Sequence, residues 1–215
     1  MKKYKFTGET KTIDLPFGTV TLHRIKAVVE FGLVKVGDLG GWIEKEENLS
    51  HEENAWVCGN AKVYDNAKVY GDAKVCGNAK VYGNAWVYDN TWVYGDAEVY
   101  GNAEVRGNAE VYGDAEVYGN AEVRGNAWVC GNAEVFSADH VLVIDAIGSR
   151  NDFTTFFRDK DNEITVKCGC FLGKIDKFLE KVTQTHKDTK HALVYRTAVE
   201  VAKLQIDLTE KSTRR

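Results

Sequence analysis

Between Asn54 and Ser137 the chain repeats one six-residue pattern fourteen times without interruption. The pattern is Asn or Asp, Ala, a variable residue, Val, a mostly aromatic residue, and Gly or Asp. In a unit such as Asn78-Ala79-Lys80-Val81-Tyr82-Gly83, Ala and Val stand two apart. A short strand therefore points both of them inward and turns Lys80 and Tyr82 outward. Gly, Asn and Asp tolerate left-handed backbone angles, so they bend the chain after each strand. A strand and a corner every six residues wind a prism, and three corners close one turn of 18 residues.

The 18-residue turn predicts that residues 18 apart stack on one another and resemble each other more than neighbouring units do. One outward lane reads Tyr64, Tyr82, Tyr100, Tyr118, Phe136; a second Tyr70, Tyr88, Arg106, Arg124; the third Cys58, Cys76, Tyr94, Tyr112, Cys130. Such lanes are the mark of a triangular parallel β-helix of nearly five coils, mainly β in class. At one strand spacing per coil the rod is about 22 Å long. Its thin core is Val and Ala, each buried Val contributing roughly 1.5 to 3 kcal/mol, and its end coils need caps.

Three parts follow: a β-rich cap over residues 1–53, the array over 54–137 and a C-terminal α+β module over 138–215. In the cap, Lys3 to Phe6 and Thr19 to Val28 alternate as strands do, Pro16 lies ahead of the regular strand, and Trp42 is expected to cover the open core end. In the tail, Val141 to Ile144 reads as a strand, and Phe153 to Arg158 with Glu163 to Cys168 as a hairpin. Ile175, Phe178, Leu179 and Val182 make one helical face, and Thr189 to Ile206 a second helix, for a βββαα module.

Charge is uneven. The net is −4, but residues 54–95 carry four Lys against three Asp, whereas residues 96–137 carry two Arg against six Glu and two Asp. Besides solubility, an acidic rod end of this kind imitates a phosphate-bearing surface. No segment is long and apolar enough to span a membrane and none reads as a signal peptide, so a cytoplasmic protein without membrane contact is expected. Five Cys, an odd number, are expected as thiols, with Cys58 and Cys76 stacked but reduced.

The repeat resembles the hexapeptide, left-handed parallel β-helix proteins. The leader Gly37-Asp38-Leu39-Gly40-Gly41-Trp42-Ile43-Glu44, followed by Glu47-Asn48-Leu49-Ser50, resembles a group of bacterial and phage-encoded β-helix proteins, some labelled transferases. The likeness covers residues 19–137 and implies left-handed winding. The tail around Val166-Lys167-Cys168-Gly169-Cys170-Phe171 is similar to C-terminal modules of phage and gut-bacterial proteins.

Hexapeptide acyltransferases resemble one another in placing a general-base His at a coil or inserted loop. Here His23, His51, His140, His186 and His191 all lie outside an array that no loop interrupts. We therefore expect no catalytic, cofactor-binding or metal-binding residues, and favour plain thiols over chelation by Cys168-Gly169-Cys170. Expected instead are surfaces. Trp56, Trp92, Trp128, Tyr94 and Tyr112 fall on one face suited to self-association. Lys62, Lys68, Lys74, Lys80, Lys174, Lys177 and Lys181, with Lys187, are candidates for nucleic-acid contact. The leading functional expectation is a non-enzymatic binding protein of phage or mobile-element origin. It would present its C-terminal module to a host macromolecule, such as a CRISPR nuclease that it inhibits. Direct nucleic-acid binding, a structural spacer and an acyltransferase-like enzyme are the alternatives.

Overall fold

The structure, a computed structural model, describes residues 1–16 and 18–210. Phe17 of the expected cap and residues 211–215 of the expected tail module lie outside the described residues. The chain opens with an antiparallel hairpin, β1 (Tyr4–Leu15) and β2 (Gly18–Ala27), and continues through β3 (Leu39–Ile43). Fourteen two-residue strands follow at six-residue steps, β4 (Trp56–Val57) to β17 (Glu134–Val135). The tail adds β18 (Val141–Ile147), β19 (Asp152–Arg158), β20 (Ile164–Cys168) and β21 (Phe171–Lys174), then α1 (Ile175–His186) and α2 (Lys190–Gln205).

The short strands pair in parallel with a register of 18, as in Lys62↔Lys80↔Glu98 and Trp92↔Glu110↔Trp128, and they form three sheets. The fold is thus a parallel β-solenoid of about five coils, with a strand-rich N-terminal region and a small C-terminal module of sheet and helices. Amides of one coil donate to carbonyls of the next, for example Lys80 to Ala97 at 2.9 Å and Tyr82 to Val99 at 3.0 Å. The inward Val and Ala of the array are sealed from solvent. At the one unit where Thr91 replaces Ala, the buried hydroxyl donates to the carbonyl of Tyr88 at 2.5 Å, so no polar atom is stranded.

Corners explain the first and last letters of the repeat. Asn66, Asn84, Asn102 and Asn120 form an amide ladder, each side chain donating to the next at 3.1 to 3.2 Å. Gly at the last position has positive φ, and where Asp65 and Asp89 stand in its place their φ is 56° and 60°. Their carboxylates accept from the amides of Gly83 and Gly107 one coil on, compensating the strained backbone.

The solenoid begins earlier than the repeat. β3 pairs with the first face, Trp42↔Lys62 and Ile43↔Val63, and Leu49 bridges Val69. Both offsets are 20 residues, so this coil is irregular, and buried Asn48 ties it down by donating to the carbonyls of Asp65 and Ala67. Trp42 therefore does not cover the core end. It stands in the outward row beside Lys62, while Ile43, Ile25 and Tyr4 close the core. β1 also runs far beyond Phe6, placing Pro16 in the hairpin turn.

At the other end β19 crosses the last coil. Ala133 bridges Asp159, and the amide of Trp128 donates to Thr155 Oγ1 at 3.0 Å. The expected tail hairpin is present, with Arg158↔Ile164 as its last pair, but the module has four strands because Phe171–Lys174 joins the sheet. Its separate core joins Phe156, Phe178, Tyr195 and Val199. No helix among the described residues is long and apolar enough to cross a membrane.

Two stability measurements test this account. A Cβ at Gly101 would stand 2.9 Å from the amide nitrogen of Gly119, whereas the same atom at Gly125 meets nothing within 4 Å, although φ is alike (71° and 67°). Gly125→Ala is expected to cost about 1–2 kcal/mol from backbone strain. Gly101→Ala should cost at least about 1 kcal/mol more, from crowding. Equal urea midpoints would contradict coil-to-coil contact. Secondly, His140 is fully buried edge-on to Phe136, and burial, with Arg158 nearby, lowers its pKa from 6.5 to about 4. The folded chain then binds fewer protons than the unfolded one between these values. Its contribution is full above pH 6.5 and is lost as pH falls toward 4, on the order of 2 kcal/mol. His140→Gln should flatten that part of the stability profile.

Candidate binding surfaces

Outward positions of the array are chemically busy. Tyrosines of one lane stack face to face, as Tyr64, Tyr82, Tyr100 and Tyr118 do at 4.8 to 5.0 Å. Where a Glu stands 16 residues on, tyrosines of all three lanes reach diagonally upward: Tyr82 donates to Glu98, Tyr88 to Glu104, Tyr94 to Glu110 and Tyr118 to Glu134, at 2.9 to 3.1 Å. Burial, then the neighbouring carboxylates, pushes the phenols of Tyr82, Tyr88 and Tyr94 above their ordinary range. They act here as hydrogen-bond donors that orient the glutamates.

That arrangement, with cations from other parts of the chain, consumes much of the acidic half. Glu98 pairs with Lys80 at 2.7 Å and Glu116 with Lys160 at 2.8 Å; Glu134, itself buried, faces Arg158 at 3.6 Å. Glu122 lies between Arg106 and Arg124. A run of negative charge along the sequence is thus a set of paired groups in space.

The aromatic face is only partly open. Trp56, expected on the surface, is 5% exposed and edge-on to Phe31 and Tyr4, because the N-terminal hairpin and the loop after it fold over the first coil. Trp128 is half-buried against Phe153, 4.8 Å away, with Lys167 over its ring. Tyr94 and Tyr112 stack at 4.9 Å and are half-buried. Of the three Trp, only Trp92 remains exposed, at 45%, with Lys74 4.6 Å from its ring. Trp86, on the next face across the corner Asp89-Asn90, is 41% exposed under Lys68. Leu33 of the cap loop, 85% exposed, shares a shallow groove with Trp92 and Lys74.

The candidate lysines do not gather. Lys62 and Lys80 are on one face, Lys68 and Lys74 on the two others. In the tail Lys174 contacts Asp159, Asp161 and Glu163, which raises its pKa despite burial; Lys177 pairs with Glu180, and Lys181 is exposed. Lys187 takes a left-handed turn at the end of α1. A basic cluster that the repeat does not announce lies around Trp42. Lys11 sits 4.2 Å and Arg24 5.5 Å from its ring, and Lys62 is its strand neighbour. Burial, then Lys62 and Arg24, lowers the Lys11 pKa to about 8.

Two cysteine expectations change. Cys58 and Cys76 form a disulfide, their Cα atoms 4.7 Å apart, since stacking one coil above another gives the separation such a bond requires. Cys168 and Cys170 do not share one strand face: Gly169-Cys170 is the turn joining β20 to β21.

Fold and surfaces together define a capped β-solenoid repeat protein. A family model described as a YdcK beta solenoid repeat matches residues 79–95, within the central coils. No curated protein matches the chain.

Burial separates the tryptophans in a way stability can read. Trp56→Ala is expected to lose about 3–5 kcal/mol, as for a large core truncation. Trp92→Ala should stay within about 1 kcal/mol of the parent. Equal losses in chemical denaturation would refute the covered position of Trp56.

Proposed function

We propose that this chain is a non-enzymatic binding protein, a rigid solenoid that holds an aromatic and basic corner in fixed geometry for a macromolecular partner. The observation that carries the proposal is the pair Trp86 and Trp92 on either side of one corner. Both are exposed, each lies under a lysine of the preceding coil, and Leu33 stands beside Trp92. Tryptophan with a neighbouring cation is the composition of interface hot spots, and coils locked by backbone ladders present it with little ordering cost. The placement of every His outside the array, four of them packed on aromatic rings as His51 on Tyr4, His140 on Phe136, His23 on Phe6 and His186 on Tyr195, supports the non-enzymatic side of the reading.

The likeness of the leader and tail to phage-encoded proteins supports a setting in a bacterial host. There the partner would be a host protein or ribonucleoprotein such as a defence nuclease, met in the cytoplasm. A second reading, direct nucleic-acid binding, is favoured by Lys11, Arg24 and Lys62 around Trp42, a like-charged group in which Arg24 meets Glu9 at 3.5 Å.

The test compares the full chain with its Trp86→Lys, Trp92→Lys variant, immobilised in bacterial lysate, with light scattering alongside. A retained partner that the variant depletes at least tenfold is expected. A mass that rises with concentration in the parent alone would identify the partner as a second copy. Equal retention by both proteins would sink the proposal. Salt-sensitive retention of labelled DNA or RNA, lost on Lys11→Glu with Lys62→Glu, would establish the second reading instead.

A further inference from the structure

The last coil of the solenoid leaves one of its three faces unfinished. Within the array, Glu104, Arg106 and Asn108 donate their amides to the carbonyls of Ala121, Val123 and Gly125 at 2.8 to 2.9 Å. One coil on, the equivalent amides of Glu122, Arg124 and Asn126 find no acceptor among the described residues. The space confirms it: a Cβ on Gly107 would meet Gly125 at 2.9 Å, whereas one on Gly125 meets nothing within 4 Å. The other two faces are closed, one by Thr155 on the Trp128 amide and one by the bridge from Ala133 to Asp159.

Over the open edge lies a cleft of about 670 Å³. Its far wall is Val141, Leu142 and Val143 of β18, which is itself the edge strand of the tail sheet. Three consecutive residues of one strand line the cleft, so the wall presents an edge as well as side chains. Two unpaired strand edges thus face one space. Charges are set along it as well. Arg106 and Arg124 share the single carboxylate of Glu122 at 3.6 and 3.4 Å, and the Arg106 Nε is buried without a partner. Asp139 lines the same cleft as Glu122.

We propose that this groove binds an extended peptide segment of a partner protein as the next parallel strand, with a basic residue over Glu122 and, two positions on, an acidic residue over Arg124. The register follows from the coils below. A strand stacked on Glu122–Arg124 places its outward side chains in the rows Glu104, Glu122 and Arg106, Arg124, where an acidic residue supplies the second carboxylate that the two arginines lack and a basic residue extends the alternation over Glu122. Its carbonyls accept from the three free amides, and its small inward residues lie against Val141 and Val143. Main-chain bonds of this kind supply affinity while the alternate side chains supply selectivity. The inference deepens the reading of the chain as a binding protein and names the chemistry of one ligand.

The test is an amide hydrogen-exchange titration of the full chain with the peptide acetyl-Gly-Asn-Ala-Lys-Val-Glu-Gly-Asn-amide. Saturable slowing of exchange at Glu122, Arg124 and Asn126, about tenfold or more, is expected. Arg124→Glu, a mostly exposed position where near-UV dichroism checks folding, should weaken this peptide about tenfold and be rescued by the peptide with Lys in place of Glu. No saturable change at those amides overturns the groove, as does a charge swap that rescues nothing. Perturbation confined to Trp86 and Trp92 overturns the groove alone and leaves the wider binding function standing.

Discussion

Each coil of this molecule is hydrogen-bonded to the next by backbone amides and carbonyls that meet every 18 residues, at 2.7 to 3.1 Å. Because this ladder tolerates no drift, residues 18 apart must share one environment, and the repeated letters of the sequence follow. Small side chains fill a three-sided tube this narrow, Ala and Val throughout the array with Thr91 in one Ala place. Gly recurs where corner backbones approach to about the limit of contact, and Asp replaces it only where its carboxylate caps the amide above. The tyrosine stacks and asparagine ladders are consequences of the same spacing, which suits ring stacking and amide bonding alike.

A ladder that propagates without limit must be stopped, and the two ends are stopped differently. At the N-terminus an antiparallel hairpin extends one sheet and an irregular coil with a 20-residue offset fills the transition, with Asn48 satisfying carbonyls that no strand reaches. At the C-terminus a crossing strand closes two faces and inserts a buried group, Glu134 with Arg158 and the Tyr118 hydroxyl, beneath it. The third face keeps its donors. An edge strand left open in this way is ordinarily a liability, and its retention beside a charged cleft is what distinguishes this end from a simple cap.

Electrostatics illustrates why position in the chain is a poor guide to position in space. The glutamates of residues 96–137 look like one acidic block, yet Glu98, Glu116, Glu122 and Glu134 meet lysines and arginines from the array and from the tail module, and Glu104 and Glu110 meet tyrosine hydroxyls. Four array lysines look like one basic row, yet a strand every six residues deals them onto three faces. The cation cluster that does exist joins Lys11, Arg24 and Lys62, which the linear order keeps far apart.

The sequence by itself determined the coil: its 18-residue length, its inward Val and Ala, its outward lanes, and the tail hairpin and helices whose apolar spacing is local. These are periodic properties, and a period is visible in one dimension. What covers each lane was decided by tertiary structure. Trp56 and Trp92 occupy identical places in the repeat, but the hairpin folds over one and leaves the other in solvent. Trp42 has the composition of a plug and serves as a surface row, because the irregular coil places Ile43 on the axis instead. The open edge at Glu122–Asn126 likewise exists only because β19 crosses two faces of a triangle. Caps act through contacts remote in sequence, and no repeat encodes where they land.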